Sequence, residues 1–393
     1  MSQLFITGGR LVLPQEIITD AGILIEDERI VRMETSCPPG AQTLDARGGW
    51  ILPGFIDAHV HGGGGADFMD ATTDAMHQVA RAHALHGTTA LVATTMTCED
   101  DLLLRVICRF LEAQRTQTDG AQLLGLHLEG PYFSAASAGA RGAQPITRQR
   151  TPTREALESV LRCGQGRILR WDAAPEIDGM ELFAAVMREN GVLAAVAHTQ
   201  ADARTALHAY DCGFAHATHF YNAMSTFHKR DGLVYAGVIE ATYLRDDVTI
   251  ELIADGRHIP RESMLLARRI KGAERICLIT DAMRAAGTDQ KTSVLGPLEG
   301  GVPVVIRDDV AQLPDLSSYA GSTCTMDRAL RTAHTEYGIP LTEVSRMLSL
   351  NPARLCGCAE RKGSLEPGKD ADIVLMTPDF QVSGVLIRGK RFC

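Results

Sequence analysis

Eight short apolar segments recur through the middle of the chain, and stretches with helical spacing of apolar residues separate most of them. Strands that are apolar throughout are typical of a parallel sheet buried on both faces. Eight strand–helix units in succession predict an α/β fold, a closed (β/α)8 TIM-type barrel. The alternative, an open doubly wound sheet, is disfavoured because no GxGxxG motif stands where it would be needed. The eight segments are residues 51–61, 89–96, 123–133, 168–177, 192–199, 215–220, 249–255 and 276–282.

The two ends of the chain resemble each other and differ from the middle. Residues 3–35 and 364–392 hold short strand-like pieces separated by turn-forming residues. Neither end has enough apolar residues for a core of its own. We therefore expect a small β-sandwich domain built from residues 1–52 and 354–393, beside a barrel of residues 53–353.

Composition excludes several classes of protein. A chain of 393 residues suits a large barrel with a satellite domain. Its 39 basic and 48 acidic residues, without a basic run, argue against binding to nucleic acid or an anionic membrane. No apolar stretch reaches the length of a membrane span, and the N-terminus lacks the pattern of a signal peptide. Ten cysteines without a CxxC pair indicate free thiols, so we expect a cytoplasmic enzyme.

Polar residues cluster at the carboxyl ends of the apolar segments. In a barrel these ends meet at one mouth, where such folds place their catalytic groups. His59 and His61 are two residues apart in a strand, so their side chains point the same way. Glu129 and Asp281 each follow an apolar strand, where a carboxylate must be solvated, paired or bound to metal. His198 and His219 complete the set.

Each of these histidines alone is more typical of a hydrogen-bonded core residue than of a ligand. Four histidines and two carboxylates at one mouth, however, predict a site for a divalent metal. Imidazole and carboxylate groups suit Zn²⁺ or a similar ion. Of the remaining histidines, we interpret His127 as structural and His216 as a packing or supporting residue.

Six motifs are typical of a known family of proteins. They are PGFIDAHVH at 53–61, GLHLEGP at 125–131, ATHFYNAM at 217–224, IADGRH at 253–258, AGS at 320–322 and GSLEPGKDAD at 363–372. Over essentially its whole length the chain resembles the N-acetylglucosamine-6-phosphate deacetylases of the amidohydrolase superfamily. The resemblance implies a barrel with a small β domain, and hydrolysis of an N-acetyl amino-sugar phosphate.

The resemblance also assigns roles to residues. Glu129, His198 and His219 would hold one divalent metal, His59 and His61 would add a second, and Asp281 would be both catalytic aspartate and ligand. The cofactor would be one or two ions per subunit, Zn²⁺ or else Fe²⁺, Mn²⁺ or Co²⁺. The subunits would form a homodimer in which an arginine can reach a neighbouring active site. The implied sugar-phosphate contacts are Ala143, Gln144, Asn222, Ala223, Arg230, His258, Gly321 and Ser322.

Two departures keep alternatives open. The turn at 142–144 reads Gly-Ala-Gln where related enzymes often carry Gly-Thr-His, so the galactosamine epimer or another N-acyl amino sugar stays an alternative substrate. Arg284 stands where smaller residues are common. Hydrolysis of a cyclic amide or a deaminase activity is disfavoured by the Glu-Gly-Pro turn at 129–131, and a barrel retained only as a scaffold is disfavoured because all six candidate ligands are present.

Overall fold

A barrel of eight parallel strands forms the centre of the computed structural model, which describes residues 3–135, 144 and 150–393. The strands follow one another around the sheet in chain order. Each predicted apolar segment overlaps one of them. From first to eighth the strands are Phe55–Val60, Thr88–Thr94, Gln122–Tyr132, Ile168–Ala173, Leu193–Val196, His216–Ala217, Thr249–Ile253 and Ile276–Ile279.

The barrel closes between its first and eighth strands. The backbone N–H of Asp281 donates to the carbonyl of His59 at 3.0 Å, and that of His61 donates to Ala282 at 2.8 Å. Below them the buried Asp57 carboxylate accepts the Thr280 hydroxyl at 2.5 Å. Burial raises the pKa of Asp57 to about 7, although hydrogen bonds from Thr280 and His59 oppose the rise. These contacts confirm the barrel and exclude the open sheet.

Helices follow the strands and pack outside them. Thr72, Thr153 and Asp202 each cap a helix by accepting a backbone N–H from its first turn. Two short 3₁₀ helices, Phe68–Asp70 and Ala273–Arg275, and two π-helical segments, Thr332–Glu336 and Arg346–Leu350, complete the helical part. Within the described residues, the α-helices are Thr73–Ala84, Asp100–Thr116, Arg154–Gly164, Met180–Glu189, Ala203–Cys212, Val238–Tyr243, Arg261–Lys271, Met326–Arg331, Leu341–Ser345 and Asn351–Leu355.

Both chain ends build a β-sandwich beside the barrel, as expected. One sheet contains only N-terminal strands, whereas the other joins three C-terminal strands to three N-terminal ones. The first sheet consists, in order, of Arg29–Glu34, Gly22–Glu26, Gln3–Thr7 and Gln42–Asp45. The second consists of Lys390–Arg391, Val382–Ile387, Ile373–Met376, Trp50–Pro53, Arg10–Val12 and Ile17–Ile18. The boundaries at 52/53 and 353/354 stay a prediction.

The six-stranded sheet contributes side chains to two cores, one on each of its faces. Successive side chains of a strand point to opposite faces. Ile51 and Ile373 accordingly pack inside the sandwich, whereas Leu52 and Val374 belong to the core shared with the barrel. Because apolar side chains cover both faces, this sheet fixes the sandwich against the barrel.

Two long connections leave the barrel mouth. After the sixth strand a hairpin pairs His228–Arg230 with Leu233–Tyr235. After the eighth strand an antiparallel sheet contains Thr292–Leu295, Val302–Arg307, Val310–Gln312 and Tyr319–Ser322. In this sheet Val302–Arg307 and Val310–Gln312 form a hairpin. Among the described residues, no helix has both the length and the apolar character needed to cross a bilayer.

Candidate metal centre and active site

Glu129 lies at the centre of the predicted cluster at the barrel mouth. Its Oε1 is 2.8 Å from His198 Nε2 and 3.1 Å from His219 Nε2. Its Oε2 is 3.2 Å from His61 Nε2. The two oxygens of one buried carboxylate therefore face two groups of histidines.

The second group lies beside Asp281. His59 Nε2 and His61 Nε2 are 3.3 Å apart. Asp281 Oδ1 is 3.4 Å from the first of these nitrogens and 3.2 Å from the second. All six predicted ligands therefore come together from five different strand ends.

The backbone at the mouth is strained at three of the predicted residues. His198, His219 and Asp281 have φ values of 44°, 31° and 49°. Non-glycine residues rarely adopt this left-handed conformation, and it persists where the surrounding structure imposes it. Each conformation turns the side chain at a strand end, and each of these side chains lines the mouth.

The electrostatics of the cluster favour added positive charge. Burial opposes ionisation of Glu129, but hydrogen bonds from His198, His219 and His61 hold the pKa of its carboxyl well below the usual value. Burial likewise opposes a charge on His219, yet its hydrogen bond to Glu129 raises the pKa of the imidazole to about 9. In His198 burial prevails and lowers the pKa.

These residues fit a divalent metal. His198 Nε2 and His219 Nε2 are 3.0 Å apart, and lone pairs so close repel each other unless a proton or cation lies between them. The ligand atoms of Glu129, His198 and His219 all lie within 4.8 Å of one another, and so do those of His59, His61 and Glu129. Imidazole nitrogens with carboxylate oxygens are the donors that Zn²⁺ and related ions prefer.

A cavity of about 220 Å³ opens over the cluster. Its lining includes five of the predicted ligands, His61, Glu129, His198, His219 and Asp281. Five of the predicted substrate contacts also line it, namely Gln144, Asn222, Ala223, His258 and Gly321. Four further residues of the lining were not predicted from the sequence, namely Met96, Leu295, Ser318 and Tyr319.

His258 is oriented by its neighbour in the same turn. Its Nδ1 lies 2.7 Å from Asp255 Oδ2, and its ring packs against Tyr319 at 4.7 Å between centroids. Burial opposes ionisation of Asp255, but the hydrogen bond from His258 lowers the pKa of the carboxyl. This arrangement leaves Nε2 of His258 available to a ligand.

The other predicted contacts have different surroundings. Gln144 is buried, accepts the Thr97 N–H at 3.0 Å and donates to Glu129 Oε2 at 2.7 Å. The buried Ser322 hydroxyl donates to the Thr280 carbonyl at 2.5 Å, and Ser322 is outside the cavity lining found among the described residues. Ala143 lies outside the described residues. Arg230 ends a hairpin strand, and its side chain also lies outside the described part. Their roles in substrate binding stay predictions.

A buried polar layer lies beneath the mouth and was not predicted from the sequence. Glu251, fully buried on the seventh strand, accepts His59 Nδ1 at 2.6 Å and Arg170 Nη1 at 2.5 Å. Arg170 Nη2 in turn donates to His127 Nδ1 at 2.7 Å. The available signal was charged residues within apolar strands, Glu251 in the seventh and Arg170 with Asp172 in the fourth, because a buried charge requires a partner.

Comparisons with known proteins agree with this geometry. The model of the amidohydrolase family matches residues 50–392. N-acetylglucosamine-6-phosphate deacetylase of Bacillus subtilis is 34% identical over 97% of this chain and 94% of its own length. N-acetylgalactosamine-6-phosphate deacetylase of Escherichia coli O157:H7 is 32% identical over 97% of each chain.

A solved structure shows the same architecture. It is a mutant of N-acetyl-D-glucosamine-6-phosphate deacetylase from Mycobacterium smegmatis in complex with N-acetyl-D-glucosamine-6-phosphate, with a TM-score of 0.90 and 31% identity. The match covers 100% of this chain and 99% of that one. The chain therefore belongs to the amidohydrolase family and, within it, to the family of the N-acetylglucosamine-6-phosphate deacetylases.

Proposed function

We propose that the protein hydrolyses the acetamide of N-acetyl-D-glucosamine 6-phosphate, giving glucosamine 6-phosphate and acetate. The observation that carries the proposal is the convergence of Glu129, four histidines and Asp281 on one cavity. Relatives with this activity match nearly the whole chain, which supports the same substrate class here.

Amide hydrolysis requires a polarised carbonyl, an activated water and a proton for the leaving amine. A divalent ion held by Glu129, His198 and His219 would act as a Lewis acid and lower the pKa of water. Asp281 accepts a proton from the attacking water as its oxygen bonds to the acetyl carbon. The same carboxyl then gives that proton to the sugar nitrogen as the carbon–nitrogen bond breaks.

Asp281 is well positioned for both transfers. Its backbone is fixed by hydrogen bonds to the first strand and to Ser322, at 3.0 Å and 2.8 Å. Burial opposes its ionisation, but the neighbouring His59 and His61 lower the pKa of its carboxyl, so the group is a carboxylate at neutral pH. A carboxylate is the form that can accept a proton.

The phosphate end of the substrate would lie on the side of the cavity away from the metal ligands. We assign His258 and Arg230 to it because imidazole and guanidinium donors form charge-assisted hydrogen bonds with a phosphate dianion. Asn222, Ala223 and Gly321 would position the sugar. Ser322 would act beside them by holding Asp281, since its hydroxyl and its backbone N–H are already bonded. Ala143 belongs to the same proposal.

The proposal extends to the assembly. Phe227, Leu233 and Val234, in and beside the hairpin that carries Arg230, are more than half exposed. Exposed apolar patches of this kind typically mark protein interfaces. A homodimer that covers this hairpin would bring Arg230 to a neighbouring active site. We further propose zinc as the metal, with Fe²⁺, Mn²⁺ or Co²⁺ as alternatives, and a cytoplasmic location, which ten free cysteines favour.

Gln144 favours a second candidate, the galactosamine epimer. Its amide bonds Glu129 where related enzymes often carry a histidine, so the contact to a sugar hydroxyl is altered. A relative named for N-acetylgalactosamine 6-phosphate matches 97% of the chain.

One experiment tests the proposed function and separates the epimers. Purified protein loaded with Zn²⁺ is incubated with N-acetylglucosamine 6-phosphate, N-acetylgalactosamine 6-phosphate and both unphosphorylated sugars, and free amine and acetate are measured. We expect the highest kcat/KM for the glucosamine phosphate. A higher value for the other epimer would establish the alternative, and no release from any sugar would refute the deacetylase assignment.

A further inference from the structure

The polar layer beneath the mouth forms a hydrogen bond with the ring of one of the four predicted ligand histidines. Among the described residues, only His59 has its second ring nitrogen fixed by a carboxylate, through the 2.6 Å contact of Nδ1 with Glu251 Oε1. Within the described part of the chain, Nδ1 of His61, His198 and His219 has no hydrogen-bond partner. A carboxylate at one ring nitrogen fixes the tautomer and orientation of the ring, so that the other nitrogen is free to bind a metal.

Glu251 is itself held rigidly. Its Oε2 accepts Arg170 Nη1 at 2.5 Å and lies 3.3 Å from His216 Nε2. Its Oε1 also accepts the backbone N–H of His219 at 3.2 Å. Every one of these groups is buried in the barrel interior. The carboxylate therefore has no freedom to turn away from His59.

A layer of buried charged side chains stabilises a barrel less than apolar side chains would. Barrel interiors are ordinarily filled by branched apolar side chains. A buried ion pair such as Arg170–Glu251 gains little stability over a well-packed apolar pair, because both charges lose their hydration. Its retention directly beneath the metal cluster therefore points to a role in positioning.

We infer that Glu251, held by Arg170, is a positioning residue that decides whether the His59–His61 position binds a second metal ion. The inference deepens the proposed function, on which it rests for the presence of metal. Glu251 directs His59 Nε2 toward His61 and Asp281. The Glu129–His198–His219 position has no histidine oriented in this way and depends on Glu251 only through one backbone N–H.

The test uses Glu251→Gln and counts ions. An amide keeps an oxygen for the His219 N–H but loses the charge that fixes His59 and Arg170. Metal-free protein is titrated with Zn²⁺ by equilibrium dialysis, and zinc per chain is measured by elemental analysis. We expect two ions per wild-type chain, and in the variant a loss of about 10- to 100-fold in the affinity of one ion, the usual effect of such a partner. The other ion should keep its affinity.

Matched variants test whether the contact of Glu251 with His59 causes the loss of affinity. Asp372→Asn removes a buried carboxylate whose partners include Lys362 and the backbone N–H of Arg388, away from the predicted ligands, and should leave both affinities unchanged. His59→Ala should lose the same ion as Glu251→Gln, and the double variant should lose nothing more. If Glu251→Gln does not fold, Glu251→Asp keeps the charge opposite Arg170 while withdrawing the oxygen from His59, and the same loss is expected.

Two results would overturn the inference. One is a folded Glu251 variant that binds two ions with wild-type affinity, and the other is a wild-type chain that binds a single ion. Neither readout needs substrate. A protein that loses one ion in the variant but deacetylates no sugar would therefore retain the inference while refuting the proposed function.

Discussion

The interiors of the sandwich and of the barrel are both buried, yet they contain different chemistry. The sandwich core consists of aliphatic side chains such as Ile6, Ile23 and Ile51. The barrel interior instead holds Glu251, Arg170 and several histidines at 3% exposure or less. An apolar core gains stability with each buried methylene, whereas buried charges gain little. The comparison indicates that the sandwich stabilises the protein and the barrel interior organises its chemistry.

Backbone conformation separates the two regions as well. The left-handed residues His198, His219 and Asp281 all lie at the barrel mouth. Left-handed non-glycine residues of the sandwich, such as Asp27 and Arg388, lie instead beside turns between strands. If the two regions have separate tasks, substitutions at the mouth should change activity before stability, and substitutions in the sandwich should do the reverse.

The largest effect should come from Asp281→Asn. The amide cannot accept the proton of the attacking water, so kcat should fall by at least about 10²-fold. Thermal unfolding should stay close to wild type, and the ion held by Glu129, His198 and His219 should be retained, because these three ligands remain. Steady-state kinetics, calorimetry and elemental analysis measure the three quantities. A near-normal kcat would remove Asp281 from the mechanism.

A smaller difference should separate Glu129→Ala from His59→Ala. Glu129 faces both groups of histidines, so its loss should release most of the tightly bound metal and nearly all activity. His59 contributes to one group only, and its variant should keep one ion and part of the activity. Elemental analysis after desalting compares the two. Full metal content in Glu129→Ala would contradict the ligand assignment.

Arg230→Ala should affect binding more than chemistry. A charge-assisted hydrogen bond contributes about 1.5–3 kcal/mol, so KM for the phosphorylated sugar should rise about tenfold or more. Part of that binding energy also positions the amide, so a modest fall in kcat is expected. The unphosphorylated sugar should be nearly unaffected.

The neighbouring Lys229 provides the control for that experiment. Lys229 is exposed and precedes Arg230 in the same strand, so Lys229→Ala should leave KM unchanged. If Arg230 acts across a dimer, wild-type activity should also fall on dilution below the dimer dissociation constant. An equal loss on both sugars in Arg230→Ala would mean that the arginine supports the fold or the interface.

Much of this division could be predicted from the sequence. The eight strands were visible because parallel buried strands are apolar throughout, and the ligands because they end those strands. The Glu251–Arg170 pair was not predicted, since its partners are 81 residues apart and meet only once the barrel closes. The left-handed conformations of His198 and His219 have no local signal either, because tertiary contacts impose them.

The smallest effect should come from the sandwich itself. Ile51 is fully buried there, and Ile51→Val removes one methylene from an apolar core. The free energy of unfolding should fall by about 0.5–1.5 kcal/mol, while kcat, KM and zinc content stay at wild-type values. Ile17, in the same sheet, is 39% exposed, so Ile17→Val should change stability by less than about 0.5 kcal/mol. Urea denaturation of the three proteins measures the difference. A fall in kcat in Ile51→Val without a loss of stability would show that the sandwich also positions the mouth, and the separation of tasks would fail.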